Sequence, residues 1–148
     1  MSNPDQRARR LCLGLVIACF FSSHALADAV PKAVIVSPLA STNRTASGQP
    51  ITLPAGRTTV AVSRYIIAPG ATLPVHKHPY PRYAYVQAGH LAVYAADTGQ
   101  RYDYKAGDFI VEILDGWHYG ENTGAEPVEL LVIDQMPEGR TTNTVLKP

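Results

Sequence analysis

The sequence predicts an all-β fold, a sandwich or barrel forming one domain behind an N-terminal signal peptide. Three observations carry this. From Ile51 onward, short β-prone runs alternate with Gly, Pro and Asp turn signals, one roughly every 8–12 residues. No segment sustains a helical period. The first 27 residues read as a targeting segment and not as part of a fold.

Arg7, Arg9 and Arg10 form a positive leader. Leu11 to Phe21 is an apolar run too short for a stable membrane span. Ala25-Leu26-Ala27 places small residues at the spacing of a signal-peptidase site. Residues 1–27 are therefore expected to be removed before Asp28, leaving a periplasmic or secreted protein. Two alternatives stand beside this reading. The run is an uncleaved anchor, or Val16-Ile17-Ala18-Cys19 acts as a lipobox that leaves a lipid on Cys19, the one route to a membrane.

Removing the signal changes the composition. Cys12 and Cys19 leave with it, so the mature chain has no disulfide and no thiolate nucleophile. Three of 13 basic and one of 12 acidic residues also leave, giving 10 against 11 and a net charge of −1. With no basic run, this balance excludes an electrostatic nucleic-acid footprint. The remaining 121 residues suit one domain with one core.

Residues 28–50 contain one candidate strand, Ala33 to Ser37, then a polar run that reads as an arm or linker. The barrel is expected over 51–136. Its predicted strands are Thr58–Ala68, Thr72–His78, Tyr83–Gln87, His90–Ala96, a partner after the Asp97-Thr98-Gly99 turn, Phe109–Leu114, Trp117–Glu121 and Val128–Asp134. Pro79 and Pro81 force an edge or a bend after His78. Residues 137–148 form a polar tail, either poorly ordered or laid across the barrel.

His76 and His78 are two residues apart, so in a strand both imidazoles point to one face. That is half of a metal site, and His118 is the downstream candidate for the remainder. His90 opens a strand beside a turn and reads as surface or structural.

These two stretches resemble the cupin superfamily. Its first motif, G-x5-H-x-H-x3-4-E-x6-G, is matched by Gly70, His76, His78 and Gly89, with Arg82 (or Tyr83 at the longer spacing) in the Glu position. Its second, G-x5-P-x-G-x2-H-x3-N, is matched by Gly107, His118 and Asn122, with Ile113 for Pro and Asp115 for Gly. The resemblance spans about residues 55 to 135 and implies a double-stranded β-helix, the cupin jelly-roll barrel. It also implies a divalent metal ion (Fe, Mn, Ni, Cu or Zn) on His76, His78 and His118, a small-molecule ligand or substrate, and a homodimer.

Arg82 has no lone pair to offer a metal. The site is rescued either by water on a three-histidine centre or by a carboxylate from another strand. Glu112, among apolar neighbours in FIVEIL, is the candidate ligand; pairing with Arg82 and facing solvent are the other two readings. Arg82 is expected either to grip a substrate carboxylate in a two-pronged fork or to be a solvated surface arginine. Tyr83 and Tyr85 share a face and are candidates to line a substrate pocket. Trp117 and Tyr119 point away from the face of His118, and Asn122 is expected to fix a turn.

The chain has no phosphate-cradling Gly-rich loop, no G-x-S-x-G elbow and no clear pair of catalytic carboxylates. Two functions follow as expectations. One is a metal-dependent, oxygenase-type enzyme on a small organic molecule, which the resemblance implies. The other is a non-catalytic barrel that binds or senses a small ligand, its metal structural or absent. Isomerase or lyase chemistry, as in sugar-handling cupins, is a third.

Overall fold

The structure, a computed structural model, describes residues 34–148. Residues 1–27, read above as a signal peptide, both cysteines and Ala33 lie outside the described residues.

Among the described residues nine strands follow one another: β1 (Thr58–Ile67), β2 (His76–Lys77), β3 (Arg82–Ala88), β4 (His90–Ala95), β5 (Arg101–Lys105), β6 (Phe109–Val111), β7 (His118–Asn122), β8 (Val128–Pro137) and β9 (Val145–Leu146). They form two sheets, one in the order β1-β8-β3-β6 and the other in the order β5-β4-β7-β2-β9. All paired strands are antiparallel. This is the all-β, double-stranded β-helix that the sequence predicts.

The two-residue period decides what each sheet turns inward. On β8, Val128, Leu130, Val132, Asp134 and Met136 are buried, and on β3 so are Arg82, Ala84 and Val86. Of these, Val128, Leu130, Val132, Ala84 and Val86 meet Leu91 and Val93 of β4 and Ile110 of β6 in one apolar core. Such a core drives the collapse of a domain that has no disulfide. Hydrophobic inner positions therefore hold the barrel shut along most of its length. The inner polar residues His76, His78, Arg82, His118 and Asp134 lie together, while the buried Asn122 sits at the far end of β7.

Two turns show why particular residues stand where they do. Gly89, at φ 83°, joins β3 to β4; a Cβ there would lie 2.7 Å from the Pro127 carbonyl oxygen. Asp115 occupies the second-motif glycine position with φ 52°, a left-handed conformation that Asp tolerates better than most residues. Its carboxylate meets Lys77 Nζ at 2.7 Å.

One expectation changes: residues 34–37 form no strand, and among the described residues no segment pairs with them. The polar run behind them is docked on the barrel. The Ala46 amide donates to the Val111 carbonyl at 2.8 Å, and the Gln49 side chain brackets Leu114 by donating to its carbonyl and accepting from its amide. The tail is laid across the barrel: β9 pairs with β2, and Asn143 is 2% exposed.

Candidate metal centre

β2 and β7 pair so that His76 and His118 face each other across the ladder. His78, two residues on, points to the same side. The three rings lie 4.6–5.0 Å apart between centroids, tilted 55–63° to one another like the blades of a propeller.

Each ring is pinned at Nδ1 by a main-chain carbonyl. His76 donates to Pro74 at 2.7 Å, His78 to Asn143 at 2.8 Å and His118 to Gly116 at 2.8 Å. A carbonyl only accepts, so each Nδ1 carries the proton and each Nε2 lone pair is left to the centre. Burial pushes the His76 imidazole down to about 4, against a partial rise from its Pro74 hydrogen bond. It is therefore neutral, the form that binds metals.

Glu112 supplies the fourth group. It follows β6 immediately, and its Oε2 lies 3.2 Å from His78 Nε2 and 3.3 Å from His118 Nε2. Burial would raise the Glu112 carboxyl. Hydrogen bonding to His118 and His78 and the charges of His78 and Arg82 outweigh burial and hold it well below the usual carboxylate range. Of its three readings, solvent exposure and pairing with Arg82 are both set aside: Glu112 turns inward, and Arg82 is engaged elsewhere.

The donor atoms of His76, His78, Glu112 and His118 all lie within 4.8 Å of one another. A carboxylate cannot donate a hydrogen bond, nor can a neutral ring at its deprotonated Nε2. The cluster therefore requires positive charge at its centre, from a cation or from protons on the rings. Three imidazoles and a carboxylate fit a divalent transition metal.

Arg82 corrects both expectations made for it. It is 6% exposed, so it is no solvated surface residue. Its Nε and Nη2 donate to Asp134 Oδ1 and Oδ2 at 2.7 and 2.9 Å, so the two-pronged face belongs to Asp134 and not to a substrate. The two residues are direct partners across β3 and β8. Only Nη1 remains toward the centre, 3.4 Å from His78 Nε2. Asp134 was legible in the sequence: it shares the inward parity of Val128, Leu130 and Val132.

Tyr83 and Tyr85 do not line the pocket. They alternate with the buried Arg82, Ala84 and Val86 and so stand on the outer face, where Tyr83 stacks on Phe109. Arg82 and Tyr83, being adjacent in a strand, cannot both face inward. The tyrosine at the site is Tyr65 of β1, whose ring lies 5.8 Å from the Arg82 guanidinium carbon.

A cavity of about 30 Å³ touches His76, Glu112, His118 and Arg82, with Gly120, Leu91 and Val132 among its other walls. It has room for an ion or a water molecule. An outer vestibule of about 150 Å³ shares Tyr65, Leu73, His76 and Arg82 with it. A larger hollow, about 600 Å³, is an open surface depression beside His90 and β5 that contains none of the clustered residues. Asn122 fixes a turn as expected, its amide donating to the carbonyls of Ile67 and Glu126.

A family model described as "Cupin domain" matches residues 63–134. No curated protein matches the chain. Among solved structures, the chain is similar to oxalate decarboxylase of Lactobacillus farciminis in complex with formate, with 26% identity and a TM-score of 0.50 over 60% of this chain and 26% of that one. It is similar to Bacillus subtilis oxalate decarboxylase, a structure concerned with its Mn(II) centres, with 29% identity and a TM-score of 0.48 over 60% and 24%. A third is a conserved Klebsiella pneumoniae protein with a double-stranded β-helix domain, at 20% identity and a TM-score of 0.49 over 66% and 90%. The chain thus spans about a quarter of the length of the two decarboxylase chains. With the motif histidines brought together and the family match lying over the same strands, residues 63–134 of this chain form a small cupin-superfamily domain.

Proposed function

We propose that the chain binds a divalent metal ion through His76, His78, His118 and Glu112 and acts on a small organic anion in an oxygenase-type reaction. The observation that carries this reading is the set of three Nδ1 hydrogen bonds to carbonyls, which leave three Nε2 lone pairs gathered with one mostly buried carboxylate. When bound, the metal supplies a Lewis-acid or redox centre.

Charge and size support the ligand class. The inward-facing charges of Arg82, Glu112 and Asp134 sum to minus one; with a divalent ion bound the total is plus one, which a small anion neutralises. Arg82 Nη1 is the donor left to orient it. The vestibule, about 150 Å³, is smaller than the usual pocket for a drug-sized ligand. Similarity to an oxalate decarboxylase that holds formate points to carboxylates of one to a few carbons.

The test is elemental analysis of untagged protein reconstituted with Mn, Fe, Co, Ni, Cu or Zn, beside His118→Ala, followed by short-chain carboxylate turnover with oxygen uptake recorded. One metal per chain, lost in the variant, with consumption of a small carboxylate, is the expected result. Failure to retain any metal after reconstitution overturns the reading. A second reading, a ligand-binding barrel without turnover, is favoured by one observation. Among the described residues, both carboxylates at the site are engaged, Glu112 with His78 and His118, and Asp134 with Arg82 and Asn143. Anion binding without consumption would select it.

A further inference from the structure

The C-terminal tail reaches the site twice. The Asn143 carbonyl accepts the Nδ1 proton of His78 at 2.8 Å, a bond between residues 65 apart in sequence. The other two histidines take their carbonyls from two residues upstream, Pro74 and Gly116, so their orientation is local. His78 alone depends on a remote segment.

That segment is held firmly. The Asn143 side chain accepts from the Tyr80 amide at 3.0 Å and donates to the Tyr80 carbonyl at 3.0 Å and to Asp134 Oδ1 at 2.8 Å. Asp134 is also the partner of Arg82. Beyond Asn143, β9 pairs with β2, the strand that carries His76, and the Lys147 amide donates to Val75 at 2.9 Å. Thr144 and Leu146 then form part of the vestibule wall, above His76 and Arg82.

We infer that residues 143–147 are a working part of the centre. Asn143 is a positioning residue that sets the tautomer and direction of His78, and Leu146 limits the size of the anion that reaches it. The second half rests on the metal and anion reading above. The first does not, because a ring tautomer is a property of the apo-protein. Outer partners of metal-binding histidines typically change metal affinity about 10–100-fold when removed.

The test uses protein labelled with 15N-histidine. In the apo-protein, nitrogen shifts should show His78 carrying a proton at Nδ1, held by the Asn143 carbonyl. In Asn143→Ala this signal should become a mixture of tautomers, with Co(II) bound about 10–100-fold more weakly. Lys147→Pro, which removes the amide that anchors β9, gives the same comparison if Asn143→Ala does not fold. Leu146→Ala should keep the His78 tautomer and the Co(II) affinity. Titrated with formate, acetate and benzoate and followed by its Co(II) absorption, it should accept benzoate where the parent accepts only the smaller two. A single unchanged tautomer with parental Co(II) affinity in the folded Asn143 or Lys147 variant overturns the positioning role. An unchanged size limit in Leu146→Ala overturns the gating role. Should the parent retain neither Co(II) nor any of the other metals, the metal reading falls and the gating role with it, while the tautomer comparison still decides the role of Asn143.

Discussion

Glu112 stands directly across the β3–β6 ladder from Arg82, its amide donating to the Arg82 carbonyl at 2.9 Å. The first-motif position that carries Glu in the cupin pattern is Arg82, and the carboxylate has moved one strand over. Both side chains still turn inward at the same end of the barrel. The charge is therefore kept at the centre even though the motif lacks it, and the guanidinium is neutralised separately by Asp134.

Glu112→Gln keeps the shape of the side chain and removes its charge. Divalent metal affinity is expected to fall by at least about tenfold, since a ligating carboxylate contributes more than its outer-shell supports. Calorimetric titration of the variant against the parent measures this. Undiminished affinity would return the centre to three histidines and water.

The Arg82–Asp134 pair is buried on both sides. Asp134→Ala strands a guanidinium and is expected to cost about 3–5 kcal/mol. The double variant Arg82→Met, Asp134→Leu should recover most of that, because no unpaired charge remains. Urea unfolding of the two variants, with metal removed, provides the comparison.

Stability of the apo-protein should depend on pH through His76. Its folded value, about 4, lies below the ordinary 6.5, so between these values the unfolded chain binds more protons than the folded one. Stability is then full above pH 6.5 and declines as pH falls toward 4, by on the order of 3 kcal/mol across the whole window. Glu112, also held low, adds a loss in the same direction below the ordinary carboxylate value. Melting temperatures recorded from pH 4 to 8 should fall on the acid side, and His76→Ala should flatten the slope above pH 5.

Gly89 and Gly99 both have positive φ, but only Gly89 has backbone against the missing Cβ. Gly99→Ala should cost about 1–2 kcal/mol for its left-handed conformation alone. Gly89→Ala should cost clearly more, since the Pro127 carbonyl cannot yield without disturbing β8. Thermal melts of the pair decide it.

Export is proposed from sequence alone. Intact mass of the protein recovered from the producing cell's exterior or periplasm should place the N-terminus at Asp28. A lipid on Cys19 would refute cleavage at that site.

Much of the barrel was legible because its information is local. Alternating side chains and turn residues set the strands from Thr58 to Asp134, and the His-x-His spacing put two ligands on one face. The same parity rule, applied to Arg82 against Tyr83, separates the inner residue from the outer one, and applied to β8 it finds Asp134. The tail offered no such signal. Asn143 sits in a polar segment without a hydrophobic period, and its value to His78 exists only once β9 has paired with β2.

The sequence by itself determined the fold class, most strands between Thr58 and Asp134 and the three histidines, since each follows from a two-residue period and a short motif. The tertiary structure decided which carboxylate completes the cluster, which partner neutralises Arg82 and which carbonyl holds His78. Those relations join β6, β8 and the tail to β2 and β3 across as many as 65 residues of sequence. Their geometry depends on which strands lie side by side, and no local pattern encodes it.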